Sequence, residues 1–176
     1  LKGEGSTVAI DMGFRVGARF LEETGYVLSP ALGASYSNMG SAISFIDVEQ
    51  EDDLPKMFRF GLALQFETPP SEEMTEVLGA ELPALAASVN VDVTDDQASD
   101  RSTIYSVGTE IAFVQTCFVR LGYIMDDDER INGVTFGAGL AITRGRFQAG
   151  FDYARVPQSE DIDGVNKYGA RIGVLF

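Results

Sequence analysis

The chain has 176 residues, 13 basic and 27 acidic side chains, a formal net charge of −14, no His and one Cys. That balance argues against nucleic acid as a partner, since binding it takes a basic surface, and it excludes an internal disulfide and disfavours a zinc site. Without His, the usual Ser-His and Cys-His nucleophile pairs cannot be built, so neither catalysis nor a cofactor is expected.

The length suits a single domain over residues 1–176. Leu1 opens the chain with no signal peptide, which reads as a processed form or a fragment. No apolar run approaches the ~18 residues of a membrane-spanning helix. A mean hydropathy of +0.03 fits a soluble protein, and equally a membrane barrel, whose strands alternate lipid-facing and lumen-facing residues.

Period-two alternation, the mark of a strand with two unlike faces, begins at Thr7 and runs to Phe20. Val8, Ile10, Met12, Phe14 and Val16 fall on one side, and Asp11, Gly13, Arg15 and Arg19 on the other. A turn at Glu22–Gly25 leads to a second strand from Tyr26, with an interruption at Asn38-Met39-Gly40 that reads as a bulge or turn before a resumption through Ile43 and Phe45. The acidic loop Asp47–Asp53 follows, then a strand over Met57–Phe66 with Arg59 on its polar side. Between Pro70 and Pro83, Ser71-Glu72-Glu73 resembles a helix start and Met74, Val77, Leu78 and Leu82 recur at helical spacing, so residues 69–83 are predicted to hold a short helical insert.

Strands are predicted next over Ala84–Thr94, Thr103–Val114 and Cys117–Met125, with Glu110 and Arg120 on polar sides and Gln115-Thr116 as a tight turn. In the hairpin Val134–Val156, Arg144-Gly145 are taken as the central turn residues, which pairs Ile142 with Phe147, Leu140 with Ala149 and Gly137 with Asp152. A last strand runs from Tyr168 to Phe176, with Arg171 on its polar side.

The strands are mostly about 9–12 residues, longer than the ~5–6 typical of soluble sheets and close to the ~9–11 that cross a bilayer. Short turns at Glu22–Gly25, Gln115–Thr116 and Arg144–Gly145 alternate with longer, mostly acidic loops at Asp47–Asp53, Asp95–Ser102, Asp126–Gly133 and Gln158–Asn166. That is the connectivity of an outer-membrane barrel, and the insert falls on its short-turn side. Strand glycines sit on the polar faces, where a crowded, curved interior gives them a reason.

Phe20, Tyr26, Phe66, Tyr105, Phe113, Tyr123, Phe147, Tyr153, Tyr168 and Phe176 lie near strand ends, where interfacial aromatic girdles belong. The competing fold is a soluble β-sandwich or lipocalin-like barrel with its apolar faces turned inward. On the membrane reading, Asp11, Arg15, Arg19, Arg59, Glu110, Arg120, Asp152 and Arg171 face the lumen. Their main expected role is to pair with one another and stiffen the barrel, with solute binding as the lesser alternative. Asp126-Asp127-Asp128 and Asp161-x-Asp163-Gly164 lack EF-hand spacing and read as solvated loop tips.

Gly108-Thr109-Glu110, Val119-Arg120-Leu121-Gly122-Tyr123, Gly137-Ala138-Gly139-Leu140 and Phe151-Asp152-Tyr153-Ala154 resemble, in order and spacing, the PorV/PorQ family of outer-membrane proteins. Asp11-Met12-Gly13, Asn38-Met39-Gly40 and Leu54-Pro55 ahead of Arg59-Phe60-Gly61 extend the resemblance over nearly the whole chain, while the insert departs from it. The terminal Phe176 resembles the signal that the barrel-assembly machinery reads. The resemblance implies an all-β, antiparallel, FadL-like transmembrane barrel of about fourteen strands. About nine are counted here, so the chain is expected to be the C-terminal portion of a larger barrel.

It further implies a place in the outer membrane of a diderm bacterium, in contact with lipid and with other protein subunits. The implied role is docking in type IX secretion or in a similar surface-assembly complex, with the acidic loops as the docking face. Two alternatives stand beside it. One is a FadL-like channel for hydrophobic solutes, which requires an apolar pocket in the lumen and an N-terminal plug. The other is a structural barrel that anchors a surface assembly.

Overall fold

The computed structural model describes residues 7–41, 43–44, 51–52, 54–97, 103–128, 130–159 and 163–174. Nine strands form one antiparallel sheet in the order β1 (Ala9–Gly17), β2 (Val27–Gly40), β5 (Met57–Glu67), β6 (Leu85–Asp96), β7 (Ile104–Phe113), β8 (Cys117–Asp126), β9 (Ile131–Arg144), β10 (Phe147–Val156) and β11 (Val165–Val174). A two-stranded ribbon, β3 (Ile43–Ser44) with β4 (Glu51–Asp52), lies in the connection between β2 and β5. Every sheet strand pairs with its neighbour in the chain, so the sheet is a simple meander. β1 and β11 are its two edges, and the sheet is not closed.

The alternation explains the sheet's two faces. Pairing keeps apolar residues in line from strand to strand, as in Val16↔Leu32↔Leu62↔Val91↔Val107↔Tyr123↔Val134. Among the described residues nothing covers this apolar face. Leu140 is 54% exposed and Ile172 88%. Among the described residues the buried hydrophobic ones are Leu54, Ala86 and Ala112, and no large side chain is fully buried. A soluble sandwich would bury this face under a second sheet, and among the described residues the only other sheet is the ribbon of two-residue strands.

Aromatic residues of the apolar face lie in rows at both strand ends and also between them, at Phe14, Phe60, Phe136 and Phe151. Phe20, Tyr26, Phe66, Phe113 and Phe147 lie at the short-turn end, and Tyr105, Tyr123, Tyr153 and Tyr168 toward the loop end. Phe66 stacks with Tyr26 at 5.8 Å, and Tyr153 meets Tyr168 at 5.4 Å. On β7 the rows are eight residues apart, from Tyr105 to Phe113, or about 27 Å along the strand. Phe176 and Phe45 lie outside the described residues.

Several boundaries differ from the sequence reading. The hairpin turn is centred on Gly145-Arg146, not Arg144-Gly145, because Arg144 pairs with Phe147. Gly145 takes φ +60°, which glycine adopts at no steric cost. The register is therefore Ile142↔Ala149, Leu140↔Phe151 and Gly139↔Asp152. The error is two residues, which leaves every side chain on its face, whereas a one-residue slip would have reversed them all.

The supposed long loop Asp126–Gly133 is a tight connection, with β8 reaching Asp126 and β9 starting at Ile131. Similarly, β6 extends to Asp96. The interruption near Asn38 is a bulge, where Ser37 and Asn38 together oppose Asp11. Asn38 takes φ +61°, and its N–H donates to Asp11 Oδ1 at 2.7 Å. The insert contains α1 (Glu72–Leu78), stopped by Gly79 in the left-handed region.

Candidate functional site

The polar face carries a row of alternating charge. Arg120, in the middle of β8, pairs with Glu110 on β7 and Gly137 on β9. Its Nε donates to Glu110 Oε2 at 2.5 Å, and its Nη1 donates to Asp152 Oδ1 at 2.7 Å. Asp152 is on β10, so the guanidinium reaches across β9. Gly139 makes the crossing possible, because a Cβ there would lie 2.6 Å from Asp152 Oδ1 and 3.3 Å from Arg120 Nη1. Arg171 on β11 continues the row, with Nη1 3.6 Å from Asp152 Oδ2. Gly150 leaves it room, since a Cβ there would lie 2.7 Å from the Arg171 Nε.

The order Glu110, Arg120, Asp152, Arg171 alternates in sign and sums to zero charge. The side chains are 34%, 36%, 28% and 53% exposed, so each pair contributes about 1 kcal/mol or less. The Arg120 guanidinium also lies 5.4 Å from the centre of the Phe118 ring. This arrangement braces four strands against one another. It presents no nucleophile beside a base, and among the described residues no group of three or more potential ligands is placed to hold a metal ion.

The other four charges singled out in the sequence stand apart from this row. Asp11 accepts the bulge N–H of Asn38. Arg19 lies beyond the end of β1 and pairs with Glu22 at 2.7 Å in the exposed 3-10 turn η1 (Glu22–Thr24). Arg59 Nη2 points to Met57 Sδ at 3.8 Å. Arg15 pairs in register with Gly33, then Gly61, then Asp92, and these residues line a depression of about 400 Å³ together with Arg59 and Asn90. No ion pair joins Arg15 to another described residue.

A second feature has no counterpart in the sequence reading. At the short-turn end the polar face becomes small and apolar, with Ala86, Ala112 and Phe118 in adjacent strands and Ala141 beyond them. The insert residues Gly79, Ala80 and Leu82 share with them a cavity of about 660 Å³, whose polar wall includes Gln65, Glu110, Gln148 and Arg171. Gln65 on β5 and Arg171 on β11 are six strands apart, nearly 29 Å in a flat sheet at ~4.8 Å per strand. One cavity touches both, so the sheet curls toward its polar face. The available signal was the run of alanines on the short-turn side of the polar faces, which the eye reads as filler between charges.

No helix among the described residues is long and apolar enough to cross a membrane. No protein-family model, curated protein or solved structure matches the chain.

Proposed function

We propose that the chain forms wall of an outer-membrane β-barrel in a diderm bacterium, and that this barrel is a docking component of a protein secretion or surface-assembly complex. The observation that carries the membrane part is the bare apolar face, continuous over nine strands and uncovered among the described residues. Lipid is the cover that such a face calls for. Aromatic residues lie at both its ends as well as along it, and the polar face is concave and braced by ion pairs, as the interior of a barrel is. An open edge in lipid costs several kcal/mol per unpaired backbone group, so β1 and β11 need partners.

Strand parity constrains those partners. With nine antiparallel strands, β1 and β11 run in the same direction. A closed, all-antiparallel barrel then takes an odd number of further strands between them. The resemblance to the PorV/PorQ family asks for about fourteen strands in all, or five more, which satisfies this parity.

The docking role rests on that resemblance and on the acidic loop side. A FadL-like channel is the second reading, and the cavity at the insert favours it through the apolar part of its wall, Leu82, Ala86, Ala112 and Phe118. Photo-crosslinking in cells separates the two. A crosslinker at Asp127 or Ser159, on the loop side, should capture a secretion or surface component. Lipid recovered from the interior, with no such adduct, would support the channel. A full-length protein that is soluble and monomeric without detergent would contradict both.

A further inference from the structure

The insert between β5 and β6 is anchored at its base and exposed toward its tip. At the base, Ala84 N–H donates to Pro69 O at 3.2 Å, Thr68 N–H to Leu85 O at 2.9 Å, and Pro70 pairs with Pro83. Thr68 Oγ1 also accepts the Leu85 N–H at 2.9 Å. Both prolines lock φ beside this neck. From there α1 runs out, with Met74 and Val77 exposed, and Gly79 at φ +68° turns the chain back. A Cβ on Gly79 would meet nothing within 4 Å. Yet Gly79, Ala80 and Leu82 form one wall of the cavity whose opposite wall is the polar face of β6 to β11.

The sheet is prepared for this cover. Beneath the insert the polar face carries Ala86, Ala112, Phe118 and Ala141, with Gln65, Glu110, Gln148 and Arg171 around them. Ala86 and Ala112 are among the few buried residues in the described part of the chain. Small apolar residues there cost little when covered, where charges would have to be desolvated.

We propose that residues 69–83 are a flap that covers the polar interior at the short-turn end, leaving a vestibule that opens on the loop side. A solute or peptide entering from the loops then meets a closed floor, which suits docking better than passage. This rests on the barrel reading above.

The test uses the full-length protein in planar bilayers and in detergent. Replacing residues 71–82 by Gly-Ser-Gly should raise ion conductance at least threefold over wild type. In a Cys117→Ser background, Ala80→Cys with Gln148→Cys should be joined by a flexible bismaleimide, and Ala80→Cys with Ser106→Cys should not. A membrane-impermeant thiol reagent should label Ala112→Cys at least tenfold more slowly than Ser106→Cys, its companion on the same face of β7. Equal conductance of the shortened and wild-type proteins, no crosslink from Ala80→Cys to Gln148→Cys, or equal labelling rates would each overturn the flap. A wild-type protein that shows no heat-modifiable folded band and does not insert into bilayers would instead overturn the barrel.

Discussion

The two halves of the polar face use the same parts differently. In the C-terminal half, Arg120 and Asp152 are separated by one strand, and the residue beneath their bridge is Gly139. In the N-terminal half, Arg15 and Asp92 are separated by two strands, with Gly33 and Gly61 between them. One strand is within the reach of an arginine and two are not, at ~4.8 Å per strand. The first half therefore has a braced row of four charges, and the second has single charges in an open depression. Opposite charges on one face do not make a network. Their spacing in strands, and the absence of a side chain on the strand they cross, decide it.

The largest effect is expected on the face that both halves share. Leu140, next to Gly139 and pointing the other way, should tolerate no charge, and Leu140→Arg should cost about 2–4 kcal/mol in bilayers if it lies near the midplane. Chemical denaturation of the full-length protein reconstituted in bilayers measures this. Next comes Gly139→Val, which places carbon where the Arg120–Asp152 bridge passes and should cost about 2–3 kcal/mol through overpacking and the lost pair. Gly61→Val sharpens the comparison, because it should displace Asp92 without breaking an ion pair and so cost less.

Smaller effects follow. Arg120→Met leaves Glu110 and Asp152 without their shared cation and should cost about 1–2 kcal/mol. A double-mutant cycle of Arg120→Met with Asp152→Asn should give a coupling energy of about 1 kcal/mol, and the same cycle on Arg15 and Asp92 should give nearly none. Arg15→Met alone should stay within about 0.5 kcal/mol.

Much of the sheet was legible in the sequence, because alternation reports face directly. The nine strands, the polar sides of Asp11, Arg15, Arg59, Glu110, Arg120, Asp152 and Arg171, the bulge near Asn38 and the short helix all follow from it. Register is a different matter. A turn at Arg144-Gly145 and one at Gly145-Arg146 give identical faces and both use Gly145, so periodicity cannot choose between them, and only the pairing of Arg144 with Phe147 settles it.

Partnership was harder still. That Arg120 takes both Glu110 and Asp152 depends on which strands are adjacent and on the empty space above Gly139. Arg19 looked like one more polar position, but β1 ends at Gly17, and Arg19 belongs to the turn with Glu22. The insert was read as an exception on the short-turn side. Its relation to Ala86, Ala112 and Phe118 emerges only when the sheet curls to face it.

The central claim is that the apolar face meets lipid. Spin labels placed one at a time along β9, in a Cys117→Ser background of the reconstituted full-length protein, test it most directly. Labels at Val134, Phe136, Ala138, Leu140 and Ile142 should be accessible to oxygen dissolved in the bilayer and shielded from a water-soluble relaxant. A label at Thr135, on the polar side and away from the insert, should show the reverse. Contradiction would be a water-accessible row at all five apolar positions, or no difference between these and Thr135.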